Sequence, residues 1–238
     1  MPSLKKGLKD INAEILLVDN KSDDGSAKFI EENYPEVILT KNSKRYGYGT
    51  NHNKNLKIAR GKYIVFMNSD MVILPDCLST LVGFMDNNSD VGICGANVLY
   101  KDGTLQYLNK QYPSVLDLLL RRFVPNPSRS IFKKRLDYYE MRATGYKSSI
   151  DIPFISGCFM FCRTSVINTV KGFDESYFLY FEDVDLCRKV QKYARTVSCP
   201  DAEIIHRWER SAYKEFKWFI VFIKSAIHYF NKWGYVFY

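Results

Sequence analysis

The stretch Phe178-Leu179-Tyr180-Phe181-Glu182-Asp183-Val184-Asp185-Leu186-Cys187-Arg188 places three carboxylates within four positions, in apolar and aromatic company. Burying a charge costs several kcal/mol unless it is paired or used. A helix starting near Glu182 would set these acids against first-turn N–H groups, which favour carboxylates. Asp183 could then stay ionised and accept a proton from an incoming hydroxyl, with Glu182 beside it. A plain N-cap cluster, with Asp185 near Arg188, is the simpler alternative, but capping does not need the wall of Phe178, Tyr180 and Phe181.

A second acidic site, Asn68-Ser69-Asp70, follows the apolar run Tyr63–Met67, and Asp19-Asn20 follows Glu14–Val18. In an open α/β sheet, ligands bind beyond the carboxyl ends of strands, so these acids are expected to share a crevice. Asp19 could accept from a base or ribose. Asp70 could hold a divalent cation whose other ligands come from a substrate phosphate. His206, ending the run Ala202–Ile205, could complete that site as a neutral imidazole. Each acid could instead merely cap the helix after it. Gly47-Tyr48-Gly49 begins like a dinucleotide fingerprint, but His52 stands where its third glycine belongs. A dehydrogenase is therefore poorly supported. The loop still offers close backbone approach, with the amides of Asn51, Asn53 and Asn55 next to it.

The elements that would position these groups alternate. Strands are expected at 14–19, 37–40, 63–67 and 91–94, with helices at 26–33, 50–60 and 75–87 between them. Such alternation predicts a mainly parallel sheet covered on both faces. Residues 101–149 are rich in Tyr, Arg, Lys and Pro without clear periodicity, and read as an insertion or lid, with Pro125–Arg129 mobile. Strand character returns at 154–162, 196–199 and 202–206, and a helix at 182–193. From Ser211 onward the tail reads as an amphipathic helix mixing lysines with aromatics. It would pack on the core or lie in a membrane surface.

The chain has 238 residues, 46% of them hydrophobic, and a formal charge of +8 that suits an anionic partner. A nucleic-acid binder is ranked low, because no RNP, zinc or helix-turn-helix pattern occurs. The six cysteines include no CxxC pair and read as reduced, in a cytoplasmic compartment. No signal peptide opens the chain, and no apolar run approaches the ~20 residues of a spanning helix.

The order of the motifs resembles a known family. The blocks are Val18-Asp19-Asn20-Lys21-Ser22 with Asp24-Gly25-Ser26, Asn42 through Gly47-Tyr48-Gly49 to Asn53, and Ala59-Arg60-Gly61-Lys62-Tyr63 leading to Asn68-Ser69-Asp70. They continue with Ser156-Gly157-Cys158-Phe159-Met160, Gly172-Phe173-Asp174-Glu175, Tyr180 to Leu186, and Pro200-Asp201-Ala202 to His206. Spanning residues ~14 to ~211, this ordered set resembles bacterial family-2 inverting glycosyltransferases of the GT-A fold, nearest the rhamnosyltransferase-like branch. The resemblance implies an α/β, Rossmann-like three-layer sandwich over 1–210, with a nucleotide-binding half (1–100), the 101–150 insertion, a catalytic half (151–210) and the 211–238 tail.

It also implies roles. Asp183 would be the base, with Glu182 beside it, and Asp70 and His206 would lie at a Mg²⁺ or Mn²⁺ on the donor diphosphate. Asp19, Asn20, Ser22 and Gly47 would line the nucleotide-sugar, together with Asn53, Asn68 and Gly157. The implied reaction moves a sugar from a dTDP-rhamnose or UDP-sugar type of donor to a hydroxyl of a cell-surface glycan or lipid-linked precursor, at the inner membrane face. Three departures stand out. Asn-Ser-Asp occupies the DxD position, Asn55 stands where the family has glycine, and Met1–Asn12 reads as the helix that normally follows an opening strand. A sheet lacking that strand is expected to bind donor weakly. The rival reading is therefore an impaired homologue that serves as a binding or scaffold domain.

Overall fold

The computed structural model describes residues 1–124, 131–207 and 216–238. The Pro125–Arg129 stretch and the first residues of the tail lie outside them. In chain order the elements are α1 (Pro2–Gly7), β1 (Leu16–Asp19), α2 (Ser26–Asn33), β2 (Ile38–Lys41), α3 (Tyr48–Leu56), β3 (Tyr63–Met67), β4 (Met71–Ile73), α4 (Cys77–Asn87) and β5 (Val91–Leu99). There follow β6 (Leu105–Gln106), β7 (Asn109–Lys110), α5 (Val115–Phe123), α6 (Lys133–Tyr139), β8 (Phe154–Ile155), β9 (Phe159–Arg163), α7 (Thr164–Thr169), α8 (Glu182–Val190), β10 (Arg195–His206) and α9 (Phe216–Trp233).

The central sheet has the order β3-β9-β5-β10-β4, with β6 on β5. β5 and β10 pair in parallel, while β9 runs antiparallel to both β3 and β5. The sheet is thus mixed, with β3, β5 and β10 sharing one direction. β9 alternates sides with period two, as a strand must. Met160 and Cys162 pack on one face with α7, α8 and α9; Phe159 and Phe161 pack on the other with α4. Helix, sheet and helix make the three layers expected.

β1 and β2 form a separate parallel pair that is not hydrogen-bonded to the central sheet. Leu16, Leu17 and Val18 of β1, and Ile64 and Val65 of β3, stay only half-buried despite being apolar. The opening residues are helical, as expected.

Two expectations about elements change. The sequence pattern predicts separate strands at 196–199 and 202–206, yet β10 is continuous, because a register shift between Cys199 and Glu203 absorbs Pro200. The described residues of the 101–149 region hold regular structure. Ser114 and Asp117 form a reciprocal capping box at the start of α5. Arg135 of α6 forks onto the buried Asp117 carboxylate, with both N···O distances 2.7 Å. The chain's last residues close over α5, where Val115 N–H donates to Val236 O at 2.8 Å. All six cysteines are free and buried.

Candidate active site

The acids heading α8 are held by backbone. Gly157 N–H donates to Asp183 Oδ2 and Val184 N–H to Oδ1, both at 2.9 Å. Burial pushes the Asp183 carboxyl up; the Gly157 hydrogen bond, the nearby Lys110 ammonium and the Val184 N–H pull it back toward the ionised form. Glu182 is driven toward its neutral form. It is 5% exposed, its Oε2 has no hydrogen-bond partner, and burial followed by the Asp183 charge pushes it up to about 8. Burial thus raises both adjacent acids, and Asp183 alone has the two backbone N–H groups and the nearby ammonium that favour its ionised form.

The turn presenting them is strained. Tyr180 and Phe181 have φ of 71° and 67°, left-handed values that cost non-glycine residues about 1–2 kcal/mol each. Rings from α9 hold the turn: Phe222 packs 5.7 Å from Tyr180 and 5.4 Å from Phe181, and Tyr229 lies 5.3 Å from Phe181. The third acid, Asp185, is fully buried. It accepts from Trp233 Nε1 at 2.7 Å and pairs with Lys232 at 2.7 Å. Asp185 therefore anchors α9, and the alternative pairing with Arg188 is not the one formed. Sequence reading missed this anchor because the partners lie 47 and 48 residues away.

Asp70 ends the β3 turn as expected. Its Oδ2 lies 3.2 Å from His206 Nε2, and that hydrogen bond holds its carboxyl below the usual range. Its Oδ1 is buried without a partner. Gln106, which sequence reading did not single out, braces His206: its Oε1 is 3.2 Å from Nδ1, and its Nε2 donates to the His206 carbonyl at 3.1 Å. Asp70 and Asp183 flank one short turn. Asn68 N–H donates to Cys158 O at 2.9 Å while Gly157 grips Asp183, and the Cys158 thiol feels both carboxylates. No group of three or more His, Cys, Asp or Glu suited to a metal occurs among the described residues.

The residues expected at the nucleotide end are mostly tied to one another. The Asp19 carboxylate accepts from Ser22 N–H at 3.2 Å, closing the turn after β1. Asn20 Oδ1 accepts from Asn42 Nδ2 and from Tyr46 N–H, and Asn42 Nδ2 also reaches Asn51 Oδ1 at 2.8 Å. This amide chain fastens β1 and β2 to α3. Asn53 uses its amide on Phe173 N–H, Phe173 O and Glu175, joining α3 to the loop before α8. Gly47 is needed for close approach, but to protein: a Cβ there would lie 2.7 Å from Phe178 O. An open hollow lined by Lys21, Ser22, Asp23, Lys44 and Arg45 adjoins the Asp19 turn.

The family model for "Glycosyl transferase family 2" matches residues 3–170. The chain belongs to glycosyl transferase family 2. This family-2 chain is 29% identical over 210 residues to an N-acetylglucosaminyl-diphospho-decaprenol L-rhamnosyltransferase of Mycobacterium tuberculosis, covering 81% of the chain and 66% of the relative. It is 29% identical over 203 residues to rhamnosyltransferase WbbL of Escherichia coli, covering 79% and 71%. Its fold matches the mannosyltransferase PcManGT from Pyrobaculum calidifontis, solved in complex with GDP-Man and Mn²⁺, with TM-score 0.62 and 17% identity, over 97% of this chain and 59% of that one. Staphylococcus aureus TarS with UDP-GlcNAc gives 0.56 and 16%, over 92% and 58%. The GT-A architecture expected from the motifs is thus the one observed. The chain spans about two thirds of the first curated relative and less of the solved structures.

Proposed function

We propose that the chain is an inverting glycosyltransferase that uses Asp183 as base, a nucleotide-diphospho-sugar as donor and a lipid-linked or cell-surface glycan hydroxyl as acceptor. The observation carrying this reading is Asp183, gripped by two N–H groups, across the Gly157-Cys158 turn from Asp70. Asp183 takes the acceptor hydroxyl proton as that oxygen bonds to the anomeric carbon. The bond from that carbon to the diphosphate oxygen breaks on the opposite face, the nucleoside diphosphate leaves with the electron pair, and configuration inverts.

Asp70 and His206 would hold Mg²⁺ or Mn²⁺, and the residues fit: Asp70 brings a buried, unpartnered carboxylate oxygen and His206 an imidazole beside it. Such an ion, when bound, offsets charge developing on the diphosphate. Asp19, Asn20 and Ser22 shape the nucleotide end, with Gly47 and Asn53 behind it.

Membrane association is peripheral in this reading. α9 buries Ser225, Ala226, Tyr229 and Phe230 while exposing Phe216, Ile220, Ile223 and Ile227. No helix among the described residues is long and apolar enough to cross a membrane.

Asp183→Asn tests the base. Transfer should fall by about 10²–10⁴-fold with donor affinity unchanged. A variant as active as the parent removes Asp183 from the chemistry.

A second reading, a domain that binds poorly and transfers little, draws on one observation. β1 and β2 are joined to the remainder through α3 and side-chain amides, not through a continuous sheet. Calorimetry with UDP- and dTDP-sugars, with and without Mn²⁺, separates the two. Affinity typical of intact relatives removes the second reading.

A further inference from the structure

Lys110 is 8% exposed, on β7, opposite Phe154 of β8, with its ammonium 5.3 Å from the Phe154 ring centre. β8 runs directly into Gly157, which grips Asp183. Among the described residues the Lys110 ammonium makes no hydrogen bond and no ion pair. The carboxylates nearest in charge are engaged: Glu140 by Arg142 at 2.6 Å, and Asp183 by its two N–H groups. A buried ammonium without a partner is costly. Arg121 of α5 adds a second positive charge on the same side. Lys110 thus sets an unpartnered positive charge beside the proposed base, with the Arg121 charge near it, which suits an anion carried by the acceptor.

We propose that Lys110 is an acceptor-binding residue whose ammonium meets a phosphate of the acceptor, while the acceptor's attacking hydroxyl lies on Asp183. The proposal rests on the reading of Asp183 as base. The acceptor class is a sugar carrying a phosphate or diphosphate, either on a prenyl carrier or within a polyol-phosphate polymer. Burial and then Arg121 push Lys110 down to about 7, with Asp183 and Glu140 opposing and Cys158 adjacent, so an incoming phosphate would restore its full charge.

The test is equilibrium binding, which needs no turnover. Three probes are compared on the full chain: citronellyl-diphospho-N-acetylglucosamine, a glycerol-phosphate trimer, and octyl N-acetylglucosaminide without phosphate. A charge-assisted contact predicts that one phosphate probe binds about tenfold or more tighter than the phosphate-free glycoside. Which probe does so identifies the source. Lys110→Met and Lys110→Gln, each confirmed folded by circular dichroism, should lose that preference, and Asp70→Asn should keep it. The proposal is overturned if the parent shows no preference, if a folded Lys110 variant retains it, or if it vanishes with Asp70→Asn. Transfer activity is read separately. An active parent without the preference sinks this site alone; the preference without any transfer sinks the transferase reading and leaves an anion site.

Discussion

The two halves of the site are held in different ways. On the catalytic side, β9 and β5 are buried along almost their whole length, and Asp183 is fixed by backbone N–H groups set in that core. On the nucleotide side, β1 and β2 are half-buried and fastened by Asn20, Asn42 and Asn51. Close packing transmits strain and resists displacement, whereas a few partly exposed hydrogen bonds contribute about 1 kcal/mol each. The proposed base should therefore be rigidly placed, and the proposed donor end should open locally well before the molecule unfolds.

Gly157→Ala is the largest expected break in that contrast. The new Cβ would sit 3.0 Å from Asp183 Cβ and 3.3 Å from its Oδ2. Neither neighbour yields easily, so the carboxylate shifts by a few tenths of an ångström, and misplacing a reacting group costs up to about 10²-fold. Steady-state kinetics should show kcat down by roughly 10–100-fold and donor affinity unaltered. A loss of the same size in donor affinity instead would mean that Gly157 lines the donor and that the two halves are not independent.

How far the site could be read from sequence follows the same division. Glu182, Asp183 and Asp70 were visible because acids in or just after apolar runs are expensive and local. His206 was visible for a similar reason, at a strand end. Gln106 was not: it sits on a two-residue strand, and its partner is 100 residues away. The role of Asp185 was hidden because Trp233 reaches it from the far end of the chain. α5 escaped periodicity because one of its buried positions is Asp117, made tolerable only by Ser114 and Arg135. Asn53 and Gly47 were found as unusual residues, but spacing alone could not show that they face protein. Local patterns expose chemistry; long-range pairs that brace it leave no periodic trace.

Asn42→Ala probes the weaker half. It removes the hub that joins Asn20 to Asn51 and leaves the Lys54 ammonium without its Asn42 partner. Amide hydrogen exchange should show β1 opening at a free energy about 1–2 kcal/mol lower, with β9 unaffected. Donor affinity should fall by about tenfold in the same variant, and Asp183-dependent proton transfer should keep its pH profile. Equal loss of protection in β1 and β9 would show one cooperative unit and erase the distinction drawn between the halves.

The smallest effect concerns the rigidity of the catalytic half itself. Burial first, and Asp183 second, raise Glu182 from 4.5 in the unfolded chain to about 8 in the fold. Between these values the folded state holds a proton that the unfolded state has released, so stability falls as pH rises from about 4.5 to about 8, then levels off. Glu182→Gln keeps the neutral shape and removes that loss. Thermal unfolding should show no change near pH 4 and a gain near pH 8 of about 1 kcal/mol or more, roughly 2–4 °C. A variant that loses stability at pH 8 would mean that Glu182 is ionised and paired there, and that the core around Asp183 tolerates a second charge.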